Sequence, residues 1–119
     1  MPLEDVFQLQ TSLLDGAFVL TAVGEIDLAT APRLGDAITA AAAVRCVVVD
    51  LTEVTFIDSS GLNVLVQGRR NLARRDIALR IVSPEDRAAY RVFELTQLNS
   101  ELEIVPTLDD ALRRVGAPS

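Results

Sequence analysis

In the run Asp58-Ser59-Ser60-Gly61 a carboxylate and two hydroxyls follow one another directly, just ahead of a strongly periodic stretch that starts at Leu62. A serine hydroxyl does chemistry in one of two ways: it attacks after a base removes its proton, or it accepts a group delivered by another enzyme. The first way lacks its base here. The chain contains no histidine and no lysine, and its 11 basic residues are all arginine. That removes the Ser-His-Asp triad, an imidazole base near neutral pH, a His-rich metal site, a P-loop lysine and a lysine Schiff base. Arginine cannot stand in, because it keeps its proton at any ordinary pH. A hydrolase built on Ser59 would have only carboxylates to activate it. Apart from these, the reactive groups are one thiol, Cys46, and one phenol, Tyr90, which is thin for an enzyme. No motif asks for a cofactor.

Two readings of Asp58-Ser59 share one geometry. A helix start presents unpaired N–H groups and partial positive charge, so Asp58 or Ser59 can act simply as a cap, stabilising by about 0.5 to 2 kcal/mol. The same place also accommodates a phosphate. A phosphoserine there adds a charge of about −1.5 to −2, which the helix end tolerates while the surface around it changes sign for any docked partner.

The elements that must position this segment are legible from pattern. Phe7 to Leu14 and Ala17 to Val23, separated by Asp15-Gly16, predict an opening β-hairpin that Gly24 ends. A loop through Glu25-Ile26-Asp27-Leu28 leads to Thr30, an N-cap candidate, with Pro32 in the first turn of a helix whose apolar positions are Leu34, Ala37, Ile38, Ala41 and Ala42. Arg45 to Leu51 is nearly all apolar and β-branched, as a central strand covered on both sides would be. Cys46 within it reads as a small apolar filler. The second helix buries Leu62, Leu65, Val66, Leu72 and Ala73. Its basic end, Arg69, Arg70, Arg74 and Arg75, suits the negative end of the helix dipole.

Ile77 to Val82 predicts another strand, and Ser83-Pro84-Glu85-Asp86 an N-cap, N1 proline and acidic first turn for a third helix with Ala88, Ala89, Val92 and Phe93 inward. Leu102 to Val105 is a last short strand. Thr107-Leu108-Asp109-Asp110 opens a short helix carrying Ala111, Leu112 and Val115, and 116–119 reads as a frayed tail. The order β-β-α-β-α-β-α-β-α implies an α/β fold: a mixed sheet, an opening hairpin and about four helices packed on it. Asp50, at a strand end, invites comparison with a phosphorylated receiver aspartate, but the accompanying lysine and acidic pair are missing.

With 119 residues, the chain suits a single domain, 1–119. A net charge of −6 argues against nucleic acid as partner, since such binding draws on Lys and Arg against phosphates. No apolar run reaches the roughly 18 to 20 residues of a membrane span, so no membrane insertion is expected. The first ten residues, with Glu4 and Asp5, lack the pattern of a secretory signal, and a cytoplasmic location is the expectation.

Three segments carry a resemblance. Gly24-Glu25-Ile26-Asp27, then Val47 to Leu51 with Phe56-Ile57-Asp58-Ser59-Ser60-Gly61-Leu62, then Val92-Phe93-Glu94-Leu95-Thr96, occur in that order. At these residues the sequence resembles the STAS domain family, specifically the bacterial anti-sigma factor antagonists. The resemblance implies a partner-switching protein that is not an enzyme. Unphosphorylated, it would bind an anti-sigma factor that is itself a serine kinase and so free the sigma factor; phosphorylation would release it, and a PP2C-type phosphatase would reset it. By position the acceptor is Ser59, directly after Asp58. Ser60, Gly61, Leu62 and Asn63 would form the docking surface, with Glu25, Asp27 and Thr30 contributing, although Glu25 and Asp27 read equally as a solvated loop. Asn63 stands where the family often has glycine, and Gln97 where a Thr-Gly-Leu ending is usual. The alternative within the same resemblance is a non-switching STAS subunit of a stress-sensing assembly or a lipid-transport ATPase.

Overall fold

The computed structural model describes residues 7–41 and 43–113. The expectations for Ala42, Val115 and the tail lie outside them. The chain opens with β1 (Phe7–Leu14) and β2 (Ala17–Ile26), antiparallel, registered from Phe7 opposite Gly24 to Leu14 opposite Ala17. Asp15 and Gly16 both have positive φ, 51° and 82°, the left-handed pair that a two-residue hairpin needs to follow the strand twist.

β2 does not stop at Gly24, as the glycine suggested. It runs on to Ile26, and at two register shifts, between Thr21 and Val23 and between Gly24 and Glu25, the parallel partner strand 46–57 carries one extra residue each time. Gly24, at φ 106°, absorbs the distortion and lets Glu25 and Ile26 pair with Phe56 and Ile57. The strand therefore reaches the segment that holds Ser59.

After α1 (Ala31–Ala40) comes β3 (Cys46–Ile57), 12 residues long and unbroken. Its first four residues, Cys46 to Val49, are buried throughout; beyond them burial recurs at Leu51, Val54 and Ile57, every third residue rather than every second, because the two extra residues fall between them. Then follow α2 (Ser59–Ala73), β4 (Ala78–Val82), α3 (Ala88–Thr96), a 3-10 turn (Leu98–Ser100), β5 (Glu103–Val105) and α4 (Leu108–Arg113). The sheet order is β1-β2-β3-β4-β5, with every pair after the hairpin parallel. Each parallel connection needs a crossover, which the helices supply.

The sheet buries both faces. On one, Leu20, Val47, Val49, Leu51 and Ile81 meet Leu34 and Ile38 of α1, Leu65 and Leu72 of α2 and Phe93 of α3. On the other, Val19, Cys46, Val48, Val82 and Val105 meet Leu108, Ala111 and Leu112 of α4. Cys46 is the buried filler expected, and burial pushes its thiol pKa up, with the neighbouring Arg80 partly opposing. Arg80 also donates to the Ala111 carbonyl at 3.0 Å and pairs with Glu103 at 3.3 Å, anchoring the last helix.

Three local expectations fail for stated reasons. Ser83 does not cap the third helix: it is 1% exposed, its N–H continues the sheet to the Val105 carbonyl at 2.9 Å, and its hydroxyl finds no hydrogen-bond partner among the described residues. Pro84 to Arg87 instead close a turn, Arg87 N–H to the Pro84 carbonyl at 3.0 Å, so α3 begins at Ala88. Ala73 and Ala88, expected inward, are exposed because each sits at a helix end beyond the packed turns. Thr107 does form its box, with Asp110 N–H donating to its hydroxyl at 3.1 Å and that hydroxyl to the Asp110 carboxylate at 2.9 Å.

Candidate functional site

The end of β3 and the start of α2 meet at Asp58. Its backbone is extended (φ −109°, ψ −171°), its N–H donates to the Ile26 carbonyl at 3.1 Å, and its Oδ1 accepts from Ser60 N–H at 2.9 Å and Gly61 N–H at 3.3 Å. Of the two cap candidates, Asp58 is the one that caps. One bond ties the helix start to the end of β2; the other two fill its vacant donors.

With that task taken by Asp58, Ser59 is the first residue of α2 and lies exposed. Its hydroxyl enters no hydrogen bond among the described residues. Ser60 is half-buried and Asn63 exposed. Gly61 and Leu62 differ from the expectation of a docking surface: both are buried, Leu62 at 8% exposure within the core. A Cβ on Gly61 would come within 2.6 Å of Ile57 Cγ1 and 2.7 Å of Ile26 Cγ2, so the missing side chain is what lets α2 sit down on the strand ends. These two residues hold the site in place from beneath.

The loop between β2 and α1 lies beside it. Asp27 Oδ1 accepts from the N–H groups of Ala29 and Thr30, both at 3.0 Å. Thr30 makes no side-chain cap on α1; its hydroxyl instead accepts from Asp27 N–H at 2.9 Å and donates to the Glu25 carbonyl at 2.8 Å. Asp27 and Thr30 thus spend their polar atoms on the loop's own shape, whereas Glu25 is exposed. The structure brings Glu25, Asp27 and Thr30 into the neighbourhood of Asp58 through the Asp58 to Ile26 bond.

Composition and pattern passed over one feature. A shallow groove of about 330 Å³ runs between the start of α1 and α2, lined by Leu28, Ala31, Pro32, Ser60, Asn63, Val64 and Gln67. Leu28 stands at its rim with 79% of its surface open, an apolar side chain held out by a hydrogen-bonded loop. A leucine between Asp27 and Ala29 gave no sign of this, because exposure depends on where the loop turns. Of the arginine cluster, Arg75 donates to the Thr39 carbonyl at 3.2 Å and to that of Ala41, joining α2 to the end of α1, and Arg70, in the last turn, pairs with Glu101 at 3.4 Å. Asp50 is occupied by Thr52, whose N–H and hydroxyl donate to it at 3.0 and 2.6 Å. Among the described residues no acidic or thiol side chains gather as a metal site would require, and no helix is long and apolar enough to cross a membrane.

A two-faced sheet with this strand order and hydroxyl-bearing helix start can be set beside known proteins. The family model for the STAS domain matches residues 8–111. The chain belongs to the STAS domain family. An anti-sigma-B factor antagonist of Listeria monocytogenes is 39% identical over 83 residues, covering 68% of this chain and 72% of the relative. One from Staphylococcus aureus is 30% identical over 98 residues, covering 81% and 90%. Among solved structures, an anti-sigma factor antagonist from Mycobacterium paratuberculosis superposes with a TM-score of 0.83 at 33% identity, covering 97% of this chain and 98% of that one. Within the STAS family, this chain falls with the anti-sigma factor antagonists.

Proposed function

We propose that this STAS domain is a protein-binding switch, not an enzyme, and that phosphorylation of Ser59 throws it. In its unmodified form it binds an anti-sigma factor that is a serine kinase, which frees a sigma factor. That kinase then phosphorylates Ser59 and releases the antagonist, and a PP2C-type phosphatase restores it. The observation that carries this reading is the open Ser59 hydroxyl at the head of α2, with the capping work done by Asp58 next to it. The names of its relatives support the partner class.

Geometry also supports the direction of the switch. A phosphate at the first helical position meets the positive end of the helix dipole and leaves the scaffold intact. At the surface it stands directly after Asp58, whose carboxylate caps the same helix start. A partner that seats Ser60 and Asn63 and the groove rim at Leu28 would have to enclose that charge. Like charges about 4 Å apart cost on the order of 4 kcal/mol per pair at an effective dielectric near 20, about a thousandfold in affinity. One added group therefore suffices to separate the partners.

The test uses the anti-sigma kinases of the source organism. Incubation with ATP should add one phosphate to the parent chain and none to Ser59→Ala. In pull-downs Ser59→Ala should stay on the kinase while Ser59→Glu comes off. Equal retention of both variants, or phosphate on Ser59→Ala, would refute the assignment.

A further inference from the structure

The edge of the sheet opposite β5 is β1, and it is unlike an ordinary edge. Natural edge strands are blunted by charge, proline, bulges or brevity, because their open N–H and C=O groups template further pairing. β1 has none of these: it is eight residues long, FQLQTSLL, pairs in unbroken register with β2 and carries no charge in a chain that is 24% charged. From Gln10 to Leu14 it is exposed, and Leu13 is 68% open. Among the described residues no strand lies along its outer side.

We propose that a second copy of this chain pairs there, β1 against β1, antiparallel about a twofold axis through Thr11, joining two sheets into one. This inference stands apart from the phosphorylation switch. The register follows from three constraints. In a two-residue hairpin the closing pair, Leu14 and Ala17, is hydrogen-bonded, so even-numbered residues of β1 address β2 and Phe7, Leu9, Thr11 and Leu13 address the open edge. The Phe7 carbonyl fits this: it points out far enough to accept from Arg33 Nη1 at 3.4 Å.

Next, residues facing each other across a twofold must share a sheet face, which limits the centre to single residues. A centre at Gln10 would set Leu13 against Phe7 and crowd the carbonyl already held by Arg33. A centre at Thr11 brings the turn residue Asp15 to that position instead of Leu13, pairs exposed Leu13 with half-buried Leu9, and sets Thr11 against its twin, a favoured cross-strand pair.

Charge makes the third constraint. With the centre at Thr11, Asp15 of one copy falls opposite Phe7 of the other, where the Arg33 guanidinium lies 4.9 Å from the ring centre. An acidic tip thus meets a basic anchor, twice by symmetry. Centred on Gln10, the same tip would fall opposite a position two residues before Phe7 instead of opposite Phe7 itself.

Sedimentation of the full chain from about 10 µM to about 1 mM, the range in which a single edge pairing acts, tests this. The weight-average mass should climb from 12.8 kDa toward twice that value. Amides of Leu9, Thr11 and Leu13 should gain exchange protection with concentration, in alternation with their neighbours. Leu13→Lys, at a site open enough to leave folding intact, should weaken association more than about tenfold by opposing charge to the ladder. Asp15→Asn, which keeps the left-handed turn, should weaken it by about threefold. A mass of 12.8 kDa throughout overturns the proposal; if those amides are then protected at every dilution, a terminal segment of the same chain occupies the edge. Undiminished association of Leu13→Lys also overturns it.

Discussion

Substituting Gly61 by alanine separates two meanings of that glycine. As a docking surface residue it would tolerate a methyl group without loss of stability. As packing it would not. The added Cβ meets Ile57 Cγ1 at 2.6 Å, Ile26 Cγ2 at 2.7 Å and Ile57 Cδ1 at 3.0 Å, where ordinary carbon contacts begin near 3.5 Å. Neither neighbour can swing aside cheaply, since both are buried and β-branched side chains are stiff at χ1. Overpacking of this kind costs about 1 to 3 kcal/mol. Alanine recovers up to about 1 kcal/mol of helix propensity, less so near the helix start. The balance is a loss of about 1 to 2 kcal/mol, and at about 4 °C per kcal/mol the melting temperature should fall by about 4 to 8 °C. Thermal melting by circular dichroism reads this directly. Urea titration should show a lower midpoint at an unchanged slope, the mark of lost stability without a changed unfolded state. A variant that melts at or above the parent temperature would refute the close-packing account of the Ile26, Ile57 and Gly61 contact.

Two further perturbations test the structure elsewhere. Gln97 ends α3 in the left-handed region, φ 61° and ψ 19°, where its N–H reaches the Glu94 carbonyl at 3.2 Å. Gln97→Gly should stabilise by about 1 kcal/mol in urea titration, and no gain would mean that the turn holds no strain. For Cys46, burial holds the folded thiol pKa above its unfolded value, so the unfolded chain loses its proton first as pH rises. Its contribution is complete below about pH 8 and declines as pH climbs through the folded value. Stability measured from pH 7 to 10 should fall at the alkaline end and fall less in Cys46→Ala, while a thiol reagent at pH 8 should label the parent only on unfolding. Rapid labelling of the folded chain would contradict the burial.

Much of this was legible in residue order because the physics involved is local. Alternation and apolar runs gave the hairpin, the buried β3 and the helix order, since both periodicities follow from backbone geometry alone. Asp-Gly named its turn, and Thr107 to Asp110 its box, because those bonds close within four residues. The absence of histidine and lysine thinned the available catalysis without any coordinates. Where Ser83 seemed a cap, the failure was instructive: β5 claims its N–H from 22 positions away in sequence, Val105, and a strand extension displaced the helix start.

Amino-acid order by itself thus determined which segments extend, which coil, and that a serine stands at the head of the second helix. Tertiary structure alone decided who does what there. Asp58 caps because the Ile26 carbonyl fixes its backbone, Gly61 and Leu62 face inward because the sheet lies beneath them, and Leu28 faces out because Asp27 and Thr30 fold the loop around it. Each of these outcomes turns on a partner distant along the chain or on the direction of a loop, and neither is encoded in any short window of residues.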